Sequence, residues 1–228
     1  MKATMGRSGT SAGAPSTFGE TARSLYSHAS PVILTMLAFG FVLARVLMGS
    51  WSTVDLVAPL VVVVMWPLLE WVLHVFLLHA RPRNVFGKTI DLSVSRSHRQ
   101  HHASPNDLSD ITINLEVYPV VVPLLVALTF WSFPSIELAV GALAVFFTLA
   151  LHYEWNHFIG HVNWCPPLEY YRRRQRMHRL HHFRNEQLWW GVSTGIGDFL
   201  LGTAPDVKSV ERSPTVDNVH GLNESCSI

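Results

Sequence analysis

Long apolar runs alternate along the chain with short polar stretches in which histidines crowd. The apolar runs cover residues 31–49, 55–79, 117–133 and 135–160. A bilayer crossing takes about 20 mostly apolar residues, with a working range of about 17–25, so each run predicts a membrane-spanning helix. Within the second run, "VDLVAPLVVVVMWPLL" carries a single charge, at its edge. Buried core helices of a soluble protein are the alternative, and four such long, nearly uncharged runs in one chain favour the membrane. The expected fold class is therefore all-α: an integral membrane four-helix transmembrane bundle with a helical, histidine-rich cap formed by the polar stretches after the second and fourth spans. Residues 1–30 are small and polar, lack the basic, apolar and cleavable order of a signal peptide, and are expected as a flexible tail. Residues 31–205 form one membrane domain, and residues 206–228 are expected as a second tail.

Composition supports the bilayer reading, since 49% of residues are hydrophobic and 14% charged, against about 25% charged in soluble domains. A formal net charge of +1 gives no reason to expect nucleic acid as a partner. The two cysteines, Cys165 and Cys226, have neither zinc-finger spacing nor the number a disulfide framework needs.

The histidines carry the candidate chemistry. Ten of the thirteen fall into four clusters: His74 and His79; His98, His101 and His102; His157 and His161; His178, His181 and His182. Two clusters share the spacing H-x-x-H-H, which on a helix places all three rings along one stripe. His157 and His161, four apart, share a helical face. His74 and His79, five apart, lie about 140° apart on an ideal helix, so they either serve different metals or require the helix to loosen. Ten imidazoles exceed what one ion of coordination number four to six takes, and they suit two ions. Imidazole fits zinc, copper, iron and nickel, and the absence of thiolate from the clusters excludes an iron–sulfur centre. Glu70, costly within a span unless partnered, and Glu154 are placed to orient imidazole rings as outer acceptors. His152 falls outside the pattern and is not a ligand candidate.

Basic residues orient the spans, because Lys and Arg concentrate on the cytoplasmic side. The two short loops "SWSTV" and "SFPS" contain none, and sixteen of the seventeen basic residues lie in the N-terminal stretch, between Arg81 and Arg99, and from Arg172 onward. The exception, Arg45, is expected to snorkel at the outer end of the first span. Both termini are then cytoplasmic, the second and fourth spans run inward, and all four histidine clusters meet at the cytoplasmic face. The arginine run Arg172, Arg173, Arg174, Arg176, Arg179 and Arg184 is expected to dock an acidic redox protein or to anchor on anionic head groups. Trp189 and Trp190 read as an interfacial anchor.

From Glu70 to Thr203, the order H-x4-H, H-x2-H-H, H-x3-H, H-x2-H-H resembles the fatty acid hydroxylase / sterol desaturase superfamily of membrane enzymes with a histidine-rich dimetal site. "HHASPND" with Pro105 and Asp107, "YEWNH" with Tyr153 and Glu154, and "GVST" at Gly191–Thr194 are most similar to the fatty acid 2-hydroxylase branch. The chain departs from it in having Gly197–Asp198 where the family often has Trp-Asp, and Val162 in place of a third adjacent histidine. The resemblance implies the ten histidines as ligands of two metals, taken to be iron although zinc could occupy an isolated protein, with Glu70, Asp107, Tyr153, Glu154 and Asp198 supporting them. It implies O2 as co-substrate and removal of a hydrogen from an unactivated C–H of a membrane lipid, most simply a fatty acyl chain. Sterol or carotenoid hydroxylation or desaturation on the same scaffold is the alternative, because it shares the first hydrogen abstraction. A metal transporter would instead place its ligands near the midplane. The sequence has no G-x-G-x-x-G dinucleotide fingerprint and no stretch expected to form a haem domain. An external donor, a cytochrome b5-like or ferredoxin-like carrier, is therefore expected, and the setting expected is a bacterial inner membrane.

The charge asymmetry yields a direct test. A reporter fused at either terminus should read cytoplasmic and one inserted near Ser52 external, and an external reading at the termini would place the histidines on the opposite face.

Overall fold

The computed structural model describes residues 13–216; readings that concern residues 1–12 and 217–228 lie outside it. Among the described residues, four helical segments are long and apolar enough to cross a membrane: 29–47, 53–78, 115–132 and 136–160. Each falls within two residues of the run that predicted it. The main helices are α1 (Phe18–Leu25), α2 (Ala29–Leu47), α3 (Val57–Val72), α4 (Ser93–Ala103), α5 (Tyr118–Ser132), α6 (Ile136–Gly160), α7 (Glu169–Phe183) and α8 (Ile196–Leu201). A two-stranded antiparallel hairpin, Arg83–Val85 with Lys88–Ile90, joins the second span to α4.

The longest span, α6, is the central post. Small residues at one end, Ala139, Gly141, Ala142 and Ala144, let neighbouring helices approach closely. Ala58 packs there with Leu138 and Ala142. Further along, Phe147 and Ala150 meet Leu34 and Ala38 of α2 and Trp66 of α3, with the Phe41 and Phe147 rings stacked at 5.5 Å. By contrast α5 buries none of its residues and shows Leu124, Leu128 and Trp131 outward. An apolar helix with no buried face is at home only against lipid tails.

Arg45 behaves differently from the snorkelling expected of it. It is buried, pairs with Asp55 at 3.0 Å, donates to the Gly49 carbonyl at 3.0 Å and lies 3.8 Å from the centre of the Trp51 ring. A carboxylate within reach replaces the water that a snorkelling guanidinium seeks, so the pair locks the turn between the first two spans. Residues 18–25, expected as tail, form a helix closed by a capping box in which Thr17 and Glu20 bond each other's backbone N–H. Leu25 then packs on Phe158, Ile159 and Val162 at the end of α6. On the C-terminal side, Val210 and Val216 are buried, Ser213 N–H donates to the Arg184 carbonyl at 2.7 Å, and Glu186 accepts from Ser213 and Thr215. Local capping and a few anchoring side chains thus extend the fold beyond both expected boundaries.

Helix α8 reaches back to the second span, where Gly197 lies against Pro67 and Trp71; a Cβ at Gly197 would stand 2.6 Å from the Pro67 carbonyl oxygen. Replacing Gly197 by Ala should force α8 off the span and lower stability in a thermal unfolding scan by about 1–3 kcal/mol, the usual cost of overpacking. An unchanged midpoint would show that this approach is not tight.

Candidate metal centre

The site begins where the second span ends. Past Val72 the helix widens into a π-turn over Leu73–Leu78, and the His79 N–H donates to the His74 carbonyl five residues back at 3.1 Å. This i→i+5 turn, a form often found at functional sites, removes the angular offset of an ideal helix. The His74 and His79 ring centres come within 5.2 Å of each other. Of the two options left open by their spacing, the structure takes the loosened helix.

All ten clustered histidines are buried, and they sort into two groups of five. His74, His79, His98, His102 and His181 form one, His101, His157, His161, His178 and His182 the other, and in each group one nitrogen per ring lies within 4.8 Å of all the others. Each H-x-x-H-H cluster is divided, in opposite senses. On α4 the i, i+4 pair His98 and His102 faces the first group and His101 the second. On α7 the i, i+4 pair His178 and His182 faces the second and His181 the first. The His102 and His182 rings stack at 3.9 Å, joining the groups. His152 belongs to neither; it bonds the Tyr170 hydroxyl at 2.8 Å.

Backbone carbonyls orient the rings. His74 Nδ1 bonds the Trp190 carbonyl at 2.6 Å, His161 Nδ1 that of Pro105 at 2.8 Å, and His181 Nδ1 that of Leu188 at 2.8 Å. A nitrogen bonding a carbonyl must carry the proton, so each Nε2 presents its lone pair inward. Those atoms face other imidazoles closely: His74 Nε2 lies 3.1 Å from His98 Nε2, His181 Nε2 3.2 Å from His102 Nε2, and His161 Nε2 2.8 Å from His178 Nε2. His157 Nε2 and His182 Nε2 are buried with no hydrogen-bond partner. Burial, reinforced by neighbouring imidazoles, holds His98, His101, His102, His178 and His182 well below the ordinary histidine range. It holds His181 there too, and burial lowers His161 to about 3. Burial thus favours the neutral form of these seven rings. Converging lone pairs on neutral, buried imidazoles fit two soft-to-borderline divalent cations.

The carboxylates expected to orient imidazoles do other work, a correction to the sequence reading. Glu70 accepts from the backbone N–H groups of Val192 and Ser193, the latter at 2.7 Å, and from the Ser193 hydroxyl. Asp198 takes the Trp190 and Gly191 N–H groups at 2.9 and 2.8 Å and the Thr203 hydroxyl at 2.6 Å. Glu70 therefore straps residues 192–193 to the second span, Asp198 ties residues 190–191 to α8, and the Trp190 carbonyl of that segment reaches His74. Just before it, Trp189 holds φ 56°, a conformation rare for a large side chain, fixed by its N–H bond to the Thr203 carbonyl at 2.9 Å. Glu154 accepts from Ser30 and from the Ile113 N–H at 2.8 Å, tying α6 to α2. Asp107 caps its own turn at Ser109 N–H, 3.0 Å, and Tyr153 lies face-on to His157 with ring centres 6.0 Å apart.

Trp189 and Trp190 are buried rather than interfacial, and the Trp190 ring lies 4.7 Å from His79 and 5.1 Å from His181. Within the arginine run, Arg174 is buried against Gly195, Arg179 donates to the Gly160 and Val162 carbonyls, and Arg184 donates to that of Val210. These arginines hold the cap together. The orienting carbonyls of Pro105, Leu188 and Trp190 went unread in the sequence, because a main-chain acceptor leaves no mark on residue identity.

Four apolar helices long enough to cross a membrane, under a cap of ten converging imidazoles, define a helical architecture with a histidine-cluster metal site. The fatty acid hydroxylase family model matches residues 59–203, and the chain belongs to that family. Among its relatives, a dihydroceramide fatty acyl 2-hydroxylase of Arabidopsis thaliana is 25% identical over 68% of this chain and 65% of its own length. A fatty acid 2-hydroxylase of Rattus norvegicus is 28% identical over 60% of this chain and 37% of its own. The chain thus spans less than two thirds of either relative. The structure of full-length scs7p, with only its hydroxylase domain visible, superposes with a TM-score of 0.65 at 23% identity, covering 81% of this chain and 68% of that one.

The division of each cluster between groups makes metal content the decisive readout. Purified protein should hold about two ions per chain by elemental analysis, and His181→Ala should lower that figure while the helical circular dichroism signal stays. Glu70→Ala, which frees the 190–193 segment, should weaken retention about 10–100-fold, the usual cost of losing outer support, and Glu70→Gln, with one acceptor oxygen left, should lose less. A fully loaded Glu70→Ala protein would break the link from Glu70 to His74.

Proposed function

We propose that this protein is an integral membrane, dimetal, O2-dependent lipid oxidoreductase that hydroxylates a C–H bond of a fatty acyl chain. The observation that carries the reading is an apolar cavity of about 360 Å³ between the spans, whose walls include Leu34, Trp66, Phe147 and Ala150 in the bundle and His74, His98, His101 and His157 at its top. Imidazoles of both groups therefore border a groove that a hydrocarbon chain can fill. A lipid that stays in the bilayer meets the histidines without passing through water, and its chain, moving from one apolar environment to another, is held by packing contacts in the groove.

In this reading the ten histidines hold two metal ions, taken as iron, which when bound supply reductive activation of O2 with electrons from an external donor. The protein's own residues bind, orient and shield. His74, His161 and His181 are fixed by the carbonyls of Trp190, Pro105 and Leu188. Trp66, Phe146 and Phe147 keep the groove dry. Glu70 and Asp198 hold the segment that closes one side of the centre. The donor is a separate cytochrome b5-like or ferredoxin-like carrier. The fatty acyl substrate is supported by the names of the relatives, which act on fatty acids and on the fatty acyl group of dihydroceramide. The metal centre and both termini face the cytoplasm, in a bacterial inner membrane. Packing of Leu25 against the histidine-bearing end of α6 supports an N-terminal region on the same side as the metal centre.

Lipid mass spectrometry of cells expressing the protein should show acyl species heavier by one oxygen, lost in His102→Ala. Ala150→Phe, which fills the groove at a position that offers no metal ligand, should lower that product at least about tenfold, as an obstructed site does when about 1.4 kcal/mol of binding is lost, with two metals still bound. Product lighter by two hydrogens would mark a desaturase, and full activity of Ala150→Phe would remove the groove from the reaction.

A further inference from the structure

A second cavity, of about 580 Å³, lies against the other side of the metal centre, and its walls include His161 together with Arg172, Arg176, Arg179, Arg184 and Arg212. Among the described residues, no Asp or Glu lines it. Five guanidinium groups drawn from α7, its C-terminal turn and the C-terminal segment thus share one concavity without a carboxylate in the wall. Three of them have mostly neutral partners: Arg179 donates to the Gly160 and Val162 carbonyls, Arg184 to the Val210 carbonyl, and Arg172 to the Pro166 and Pro167 carbonyls as well as to Glu169. Carbonyls fix where the Arg179 and Arg184 forks point but leave the charge of these two uncancelled. Such pre-aimed forks recognise carboxylate and phosphate oxygens, and the volume falls in the range of about 300–1,000 Å³ typical of small-molecule sites.

We propose that this cavity is a binding site for a multiply charged oxyanion, a phosphate-bearing group, held beside the second histidine group. The spacing of Arg172, Arg176 and Arg179 at i, i+4 and i+7 puts them on one face of α7, next to the face that carries His178 and His182. Arg179 grips the carbonyls on either side of His161, so an anion that orders Arg179 also orders the chain that presents His161. The site stands independently of the substrate assigned above. Its phosphate comes either from a soluble phosphorylated molecule or from the head group of an anionic lipid, which offer the same oxygens.

The test uses the full chain with metals bound. Inorganic pyrophosphate is titrated onto protein in zwitterionic detergent, followed by calorimetry and by the thermal midpoint, which rises when a ligand binds only the folded state. In parallel, midpoints are compared in nanodiscs of phosphatidylcholine with and without phosphatidylglycerol. Saturable pyrophosphate binding supports a soluble ligand, and a stabilisation seen only with phosphatidylglycerol supports a lipid head group. In either arm Arg176→Glu should weaken the effect at least about tenfold, the scale of one lost charge-assisted hydrogen bond, with two metals retained. Arg173→Glu, exposed on the same helix but outside the cavity wall, should leave it nearly unchanged. No response in either arm overturns the proposal. So does equal weakening by Arg173→Glu and Arg176→Glu, which would mean a diffuse basic surface.

Discussion

Every other feature of the cap follows from one requirement: ten imidazoles must be buried together while staying neutral, with lone pairs turned inward. A neutral imidazole has one proton, and inward presentation of one nitrogen leaves the other in need of an acceptor that does not compete for the interior. Main-chain carbonyls meet that need at His74, His161 and His181. The Leu188–Trp190 stretch that supplies two of these carbonyls is not helical, and an irregular stretch has N–H groups of its own to satisfy. Glu70 and Asp198 supply those acceptors. Two carboxylates beside an apolar span, which look like direct supports of a metal, are thus explained one layer further out.

The same hierarchy separates what the sequence made legible from what it did not. Spans were legible to within two residues because lipid leaves no polar stripe to blur the pattern, and the four clusters were legible because histidine is rare and the H-x-x-H-H spacing repeats. The sorting of rings between groups was not, since neighbours such as His101 and His102 go to opposite groups and only the packing of α4 against its partners decides which. The π-turn was legible only as one of two options, because a five-residue spacing of His74 and His79 allows either two separate metals or a loosened helix. Trp189 and Trp190 were misplaced by a rule for span ends that holds only when nothing covers them; here the strapped segment carries them inside. Arg45 was misjudged because its partner, Asp55, lies across a turn outside the window that a single helix suggests.

The bundle and the cap divide the physical work. In the bundle, α5 contributes no fully buried residue and turns Leu124, Leu128 and Trp131 outward, while its Tyr118, Val121, Val122 and Leu125 join residues of the second span and α6 around the groove beneath the histidines. In the cap, stability comes from polar bonds between distant segments, among them Gln175 to the Ile159 carbonyl at 2.7 Å and Arg99 to Asp91 at 2.6 Å. The bundle can therefore breathe with the bilayer while the cap keeps its register.

The crossed allocation of His101 and His102, and of His181 and His182, also acts as a ruler. Adjacent residues in a chain have Cα atoms about 3.8 Å apart whatever the surroundings, and in each pair one member serves one centre and its neighbour the other. The gap between the two centres is therefore set twice over by covalent geometry. Tilting or thinning of the spans in a different membrane can rotate this assembly as a unit, but it cannot pull its halves apart.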